Sequence, residues 1–340
     1  MKKVVLFVFI VSILFSFSVY AGGEKEQTQE IKLAWYAPAP HPYFEIVKAG
    51  VEGFEEEYGL EVIKQIGPDW TQDSQVQNVL ALAAKGANGF SIFASDPSAA
   101  NSLYEELTER GIHVISFGVE TLLPTTASFY VGTQIKQAAM DACEELINFM
   151  GGEGQILNVL GVIEDYNTTL RKEGIEEIVA KYPNVEIVSE IAGMTSPEIA
   201  MEKVENALAA HVNEIDGIIS TETNGTEAVS KVLSEYHEKG NRYIHFVGID
   251  NEPNTMKALK EGYIDGTMAQ NPYGHGYISV LLLKYLREGW TPKEGAYKVN
   301  AGHFLVTQEN ADTYEQDQLE ITKSIAAELE EKYLNPPPVE

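Results

Sequence analysis

From Ile31 onward the chain alternates short β-rich runs with helical stretches, and the rhythm then begins a second time. The first series runs IKLAWY, a helix over 43–58, LEVIKQI, a helix over 74–86, GFSIFA, a helix over 97–110, and HVISFG. After a helix over 134–150, the second series reads QILNVLG (155–161), VEIVSEI (185–191), IDGIIS (215–220), YIHFVGI (243–249) and DGTMAQ (265–270). Helical patterns near 170–181, 196–209, 224–237, 254–261 and 273–288 separate those strands, and an acidic helical tail covers 309–333. Neighbouring parallel strands need a long crossover, which a helix supplies, so this alternation predicts βαβ units and parallel sheets. Two series predict an α/β protein of two Rossmann-like, doubly wound domains. At 340 residues the chain can bury two such cores.

The first segment reads as an address. Residues 1–21 carry Lys2 and Lys3, then an apolar run from Val4 to Val19, with Val19 and Ala21 as small residues at cleavage-defining positions. That pattern predicts a secretory signal peptide. No cysteine follows it, so lipoprotein-type attachment is not expected, and the predicted location is periplasmic or secreted. No later segment is apolar enough to span a membrane.

Charge and motifs exclude other classes. With 24 Lys+Arg against 51 Asp+Glu the formal net charge is -27. Such a chain repels phosphate backbones and anionic lipid, which argues against nucleic acid as a partner. A single cysteine excludes an intramolecular disulfide framework and a cysteine-based metal cluster, and Cys143 in DACEEL reads as a buried helical residue. The chain has no phosphate-binding G-x-x-x-x-G-K-[ST] loop, no G-x-G-x-x-G turn after a strand and no G-x-S-x-G elbow. Its seven histidines form no pair at metal-ligand spacing. No enzymatic activity, cofactor or metal is expected.

In open parallel sheets, ligands bind beyond the carboxyl ends of the strands. That rule selects His41, Tyr43 and Phe44 after strand one, Asp69 and Trp70 after strand two, Phe93, Ser95 and Asp96 after strand three, and Gly118 and Glu120 after strand four. In the second series it selects Glu164 to Asn167, Arg171 opening the next helix, Glu222, Thr223 and Asn224, Asp250 and Asn251, and Gln270 and Asn271. Neutral-polar and acidic groups interleaved with aromatics suit a neutral polyhydroxylated ligand, with carboxylates and amides on its hydroxyls and rings on its C–H face. Structural roles compete at several positions. Asp96 and Asn224 fit helix caps, one of Tyr43 and Phe44 fits the core, and Arg171 could meet a carboxylate of the protein itself. Asp250 ends the apolar strand VGID, where a carboxylate is costly unless hydrogen-bonded.

Several segments, in order, carry a family likeness: HPYFEIVKAGVEGF, IFASDPSAA, TTLRKEGI, STETNGTEAV and VGIDNEPNTMKALKEGYIDGTMAQNPYGHGY. Over essentially the whole chain after the signal peptide, the sequence resembles the type I periplasmic sugar-binding proteins, the ribose/galactose-binding branch of ABC-transporter substrate-binding proteins. The resemblance implies two lobes joined by three crossing strands, closing on a sugar. The lobes would comprise 31–131 plus 271–302 and 132–270 plus 303–340. The hinge would lie near 117–122, 248–254 or 268–273, and 300–305. The implied contacts are His41, Tyr43, Phe44 and Phe93 from the first lobe and Arg171, Thr223, Asp250 and Gln270 from the second, with Trp70, Glu120 and Asn224 beside them. Two departures stand out. His41 takes the place of an Asn common in ribose binders, and Gly118-Val119 stands where an Asp-Arg pair is frequent, with Glu120 next.

The resemblance implies an exported, monomeric solute-binding protein that captures a monosaccharide or sugar alcohol and delivers it to an ABC-transporter permease. A sensor that presents a sugar signal, of autoinducer-2 or chemoreceptor type, shares the architecture. A secreted carbohydrate-active hydrolase is the more distant alternative.

Overall fold

The computed structural model describes residues 30–163 and 165–338. The expected signal peptide, and Glu164 among the strand-end residues, lie outside the described residues.

The first lobe opens with β1 (Leu33–Ala37), α1 (Pro42–Tyr58), β2 (Val62–Ile66), α2 (Gln72–Ala84), β3 (Gly89–Ile92), α3 (Ala100–Glu109), β4 (His113–Phe117) and β5 (Phe129–Gly132). The second is built from α4 (Ile135–Phe149), β6 (Gly154–Val159), α5 (Tyr166–Val179), β7 (Val185–Ile191), α6 (Pro197–His211), β8 (Gly217–Ser220), α7 (Thr223–Glu238), β9 (His245–Ile249), α8 (Pro253–Lys260) and β10 (Gly266–Gln270). There follow α9 (Pro272–Arg287), β11 (Thr291–Pro292), β12 (Lys298–Asn300), β13 (His303–Thr307), α10 (Tyr314–Tyr333) and β14 (Leu334–Asn335). Two six-stranded sheets result, ordered β12-β5-β4-β3-β1-β2 and β13-β10-β9-β8-β6-β7, with a small β11-β14 ribbon. The first sheet is parallel throughout; in the second only β13 runs antiparallel, against β10. In each sheet the strand order reverses beside the first strand of its series, which opens a crevice at the carboxyl ends.

The chain passes between sheets where β5 gives way to α4, where β10 gives way to α9, and where β12 gives way to β13. This corrects the hinge expected at 117–122 and the option at 248–254. Those segments connect elements of one lobe, and the first crossing lies at 132–135. The four-residue strand β5, FYVG, offers too short a pattern to be read from sequence, and without it the hinge expected at 117–122 falls one strand early. The tail also differs from expectation. α10 begins on the second lobe, where Tyr314 and Ile321 pack, but Leu329 and Leu334 are buried in the first lobe's core. The chain thus returns to its starting lobe.

The crossings are knit by one amide. Asn271 donates from Nδ2 to the Ala301 carbonyl at 2.7 Å and to Thr322 Oγ1 of α10 at 2.9 Å, while its Oδ1 accepts from Gly274 N at 2.8 Å and so caps α9. The side chain is fully buried, and its bonds to Gly274 N and the Ala301 carbonyl satisfy backbone groups at the start of α9 and just past the end of β12.

Helices α1 and α9 meet backbone to backbone. A Cβ on Gly276 would sit 1.9 Å from the Val47 carbonyl oxygen, and one on Gly50 would sit 1.9 Å from that of Tyr273. Glycine at both positions lets the two helices start side by side at the crevice, joining Phe44, Val47 and Val51 to Tyr277, Ile278 and Leu281 in one core.

Candidate binding site

The first-lobe wall is aromatic. The loop after β1 ends at His41, whose Nδ1 accepts from Tyr43 N at 3.2 Å and caps α1, with Pro42 in the first turn. This cap sets the rings that follow. Phe44 lies 5.0 Å from Phe93 and 5.7 Å from Trp70, and Tyr43 lies 6.2 Å from Phe93, mostly edge to face. His41 stands 6.4 Å from Trp70, which is 49% exposed at the rim. Phe93 is pinned by the buried Gln75, whose Nε2 donates to the Phe93 carbonyl at 2.7 Å and whose Oε1 accepts from Ser95 N at 3.1 Å. Gln75 is a buried amide inside an apolar helix face, a signal the sequence carried and the strand-end rule passed over.

Phe44 is wholly buried in the first lobe's core, so it backs the wall and offers no surface. Glu120 stands apart from this cluster: its carboxylate pairs with Lys298 Nζ at 2.7 Å. The frequent Asp-Arg position is closed as well. Gly118 has φ +69°, and a Cβ there would lie 2.6 Å from the Tyr43 hydroxyl and 3.0 Å from Phe93. Asp96 caps a turn ahead of α3, accepting from Ser98 N at 2.8 Å and Ala99 N at 3.2 Å; the helix itself starts at Ala100, three residues later than expected.

The second-lobe wall is polar and centred on Asp250. Its Oδ2 accepts from Thr223 Oγ1 at 2.7 Å and its Oδ1 from Gln270 Nε2 at 3.2 Å. Its own carbonyl accepts from Thr267 Oγ1 at 2.5 Å. Asp250 has φ +64°, the one non-glycine in the left-handed region among the described residues. Arg171 lies in the second turn of α5, which starts at Tyr166 under an Asp165 cap and not near 170 as expected. Burial pulls its pKa below the usual guanidinium range, while Asp250, Asp165 and Glu222 pull the other way. Glu252 beside them has its carboxyl pushed up, chiefly by burial and then by Glu227 and Asp250; His41, from the opposite lobe, opposes that shift.

Asn224 does not cap α7. Glu222 does, accepting from Gly225 N at 2.8 Å, because its longer carboxylate folds back onto the first turn. Asn224 instead donates to the Met194 carbonyl at 3.0 Å and stays outside the Asp250 set.

Arg171, Asp250 and Gln270 line a small, partly open pocket together with Thr133, Thr221 and His303. Thr221 Oγ1 and His303 Nδ1 are buried with no partner among the described residues. His303 Nε2 meets Asp141 Oδ2 of α4 at 2.6 Å, joining the third crossing to the first helix of the lobe. A larger depression, among Glu153, Glu186, Asp216, Arg242 and His245, lies at the opposite, amino-terminal edge of the same sheet. Among the described residues no group of His, Cys, Asp and Glu could hold a metal ion, and no helix is long and apolar enough to cross a membrane.

The geometry is that of a two-lobe binding fold, with a ring cluster at the carboxyl ends of one sheet and a carboxylate–guanidinium cluster at those of the other. A family model described as "Periplasmic binding protein domain" matches residues 35–290, and the chain belongs to that family. It is similar to the D-apiose import binding protein of Actinobacillus succinogenes, 25% identical over 267 residues, covering 75% of this chain and 81% of that protein. It is also similar to the xylose/arabinose-binding protein of Sulfolobus acidocaldarius, 21% identical over 253 residues and 71% of this chain; the match spans 62% of that relative's length. Among solved structures, an ABC-transporter solute-binding protein from Burkholderia graminis in complex with D-arabinose is 25% identical, with a TM-score of 0.65 over 85% of this chain and 99% of its own. An arabinose-binding protein from Geobacillus stearothermophilus, 24% identical, superposes over 84% of this chain and 98% of its own with a TM-score of 0.72, which speaks for the fold.

Proposed function

We propose that this protein is an exported solute-binding protein that captures a monosaccharide or sugar alcohol between its lobes and presents it to an ABC-transporter permease. The observation that carries this reading is the Asp250 cluster. A carboxylate held by Thr223 and Gln270 and facing Arg171 stands opposite rings from the other lobe. Carboxylate and guanidinium fork onto neighbouring hydroxyls, and rings cover a sugar's C–H face. Contacts from both lobes favour the closed arrangement only when the sugar is bound, which makes the hinge a ligand-read switch. Relatives whose names specify xylose/arabinose, D-apiose and xylitol favour five-carbon sugars and polyols as the class. The signal-peptide pattern of residues 1–21 favours export, with the protein acting as a monomer outside the cytoplasmic membrane.

A thermal-shift screen of the purified protein, unfolded and refolded to strip carried ligand, tests this. Against pentoses, hexoses, deoxysugars, polyols, amino acids and nucleosides, we expect a rise with a pentose or pentitol. At a hundredfold excess over Kd that is about 2.7 kcal/mol, or roughly 5–11 °C. A rise with amino acids or nucleosides alone, or no rise at all, contradicts the reading.

A further inference from the structure

Tyr43 has an inward-turned hydroxyl. Its ring contributes to the cleft wall, but its oxygen lies 2.6 Å from Nδ1 of His275 in the first turn of α9. On the far side of that imidazole, Nε2 lies 3.5 Å from Thr133 Oγ1, in the first crossing between the lobes. His275 is 1% exposed and Thr133 4%. The three residues form a buried line from the wall to the hinge, contributed by α1, by α9 and by the crossing segment.

Burial pushes the Tyr43 hydroxyl well above the ordinary phenol range, so the hydroxyl keeps its proton and is able to donate it. Burial alone drives His275 down to about 3, so the imidazole is neutral and carries one N–H. In the tautomer in which Nδ1 accepts from Tyr43, the proton sits on Nε2 and points to Thr133.

Two glycine contacts make this line rigid. Gly276, next to His275, lies against the Val47 carbonyl and fixes α9 on α1. Gly118 leaves the space that the Tyr43 oxygen occupies, since any Cβ there would stand 2.6 Å from it. The position where a side chain could have reached the ligand is thus given over to seating this tyrosine.

We propose that His275 is a positioning residue of the binding site: by accepting from Tyr43 and donating towards Thr133, it holds the Tyr43 ring as a fixed wall of the cleft and ties that wall to the first crossing. The proposal rests on the reading that this cleft takes a sugar or polyol.

Two measurements on the full protein separate the two ideas. The first needs no ligand. Long-range proton–nitrogen NMR at neutral pH should show the His275 imidazole neutral with its proton on Nε2. A charged ring, or a proton on Nδ1, overturns the assigned line. The second uses whichever of D-arabinose, D-xylose, D-ribose and xylitol raises the thermal midpoint most. Tyr43→Phe and His275→Phe should each weaken its binding about tenfold, since each removes the same buried hydrogen bond. The double variant should be no weaker than either single one. His275→Asn, whose amide can replace Nδ1, should recover to within about threefold of the parent at a similar midpoint. Full additivity in the double variant, unchanged affinity in both single variants, or no recovery with Asn overturns the proposal. Because Tyr43→Phe removes the bond from the surface side, the test stands even where His275→Phe folds poorly. If none of the four compounds binds, the preference for five-carbon sugars and polyols fails, and the tautomer still decides whether the line exists.

Discussion

Asp250→Gly is expected to lose sugar binding by roughly a hundredfold or more while its thermal midpoint stays within about 3 °C of the parent. Removing one partner of a desolvated, hydrogen-bonded charge cluster costs about 2–5 kcal/mol in binding, and each 1.4 kcal/mol is tenfold. Stability follows a different balance. Asp250 sits at φ +64°, where an L-residue is disfavoured by roughly 1–2 kcal/mol, less for aspartate than for most. Glycine releases that strain, and the release offsets the lost bonds to Thr223 and Gln270. Asp250→Ala separates the two effects. Alanine loses the same bonds but keeps the strain, so it should match the glycine variant in affinity and be less stable by about 1 kcal/mol. Calorimetric titration and thermal melts of both variants check this; retained affinity in either removes Asp250 from the site. A residue that holds an uncommon backbone conformation only to aim its side chain is the signature of strain kept for function.

Gly276→Ala carries the largest expected stability effect. Alanine gains about 1 kcal/mol of helix propensity over glycine. Against that, its Cβ would stand 1.9 Å from the Val47 carbonyl oxygen and 2.9 Å from its carbon, and backbone atoms cannot rotate away. Helices α1 and α9 must move apart, opening the core around Tyr277 and Val47. Overpacking costs typically 1–3 kcal/mol and occasionally more, and a backbone clash this close belongs at the top of that range. With about 2 kcal/mol of net loss, the midpoint should fall by roughly 4–8 °C. An unchanged midpoint would mean that α1 and α9 do not pack as described.

Much of this fold could be read from pattern because its helices and strands differ in period. Helix α1, with Phe44, Val47, Val51 and Phe54 facing the core, and the apolar strands of the second sheet announce themselves. β5 did not, because four residues hold too little periodicity, and its loss displaced the hinge expected at 117–122. The return of α10 to the first lobe was invisible for another reason. An amphipathic helix shows which face it buries but not against which lobe. At the site, Asp250 was legible as a carboxylate ending an apolar strand, a position that demands partners. Glu120 misled because strand-end position says nothing of a salt bridge to Lys298, a residue far along the chain. His275 was hidden in the opposite sense: in YGHGYISV it reads as one more residue of a buried helix, and only the fold brings Tyr43 to it.

If sugar closes the two lobes through the Asp250 cluster, the distance between the lobes must shorten when it binds. Asp73 at the start of α2 and Glu198 at the start of α6 are exposed, one on each lobe at the crevice side, and can be replaced by cysteine for spin labels. The native Cys143 is fully buried, and burial, aided by Glu144, pushes its thiol up to about 12, so it will not compete for label. Electron–electron double resonance on Asp73→Cys/Glu198→Cys should show a shorter distance on addition of the sugar found in the thermal screen. The same pair carrying Asp250→Gly should keep its ligand-free distance. A distance unchanged by a sugar that calorimetry shows to be bound would mean that the lobes do not close on it.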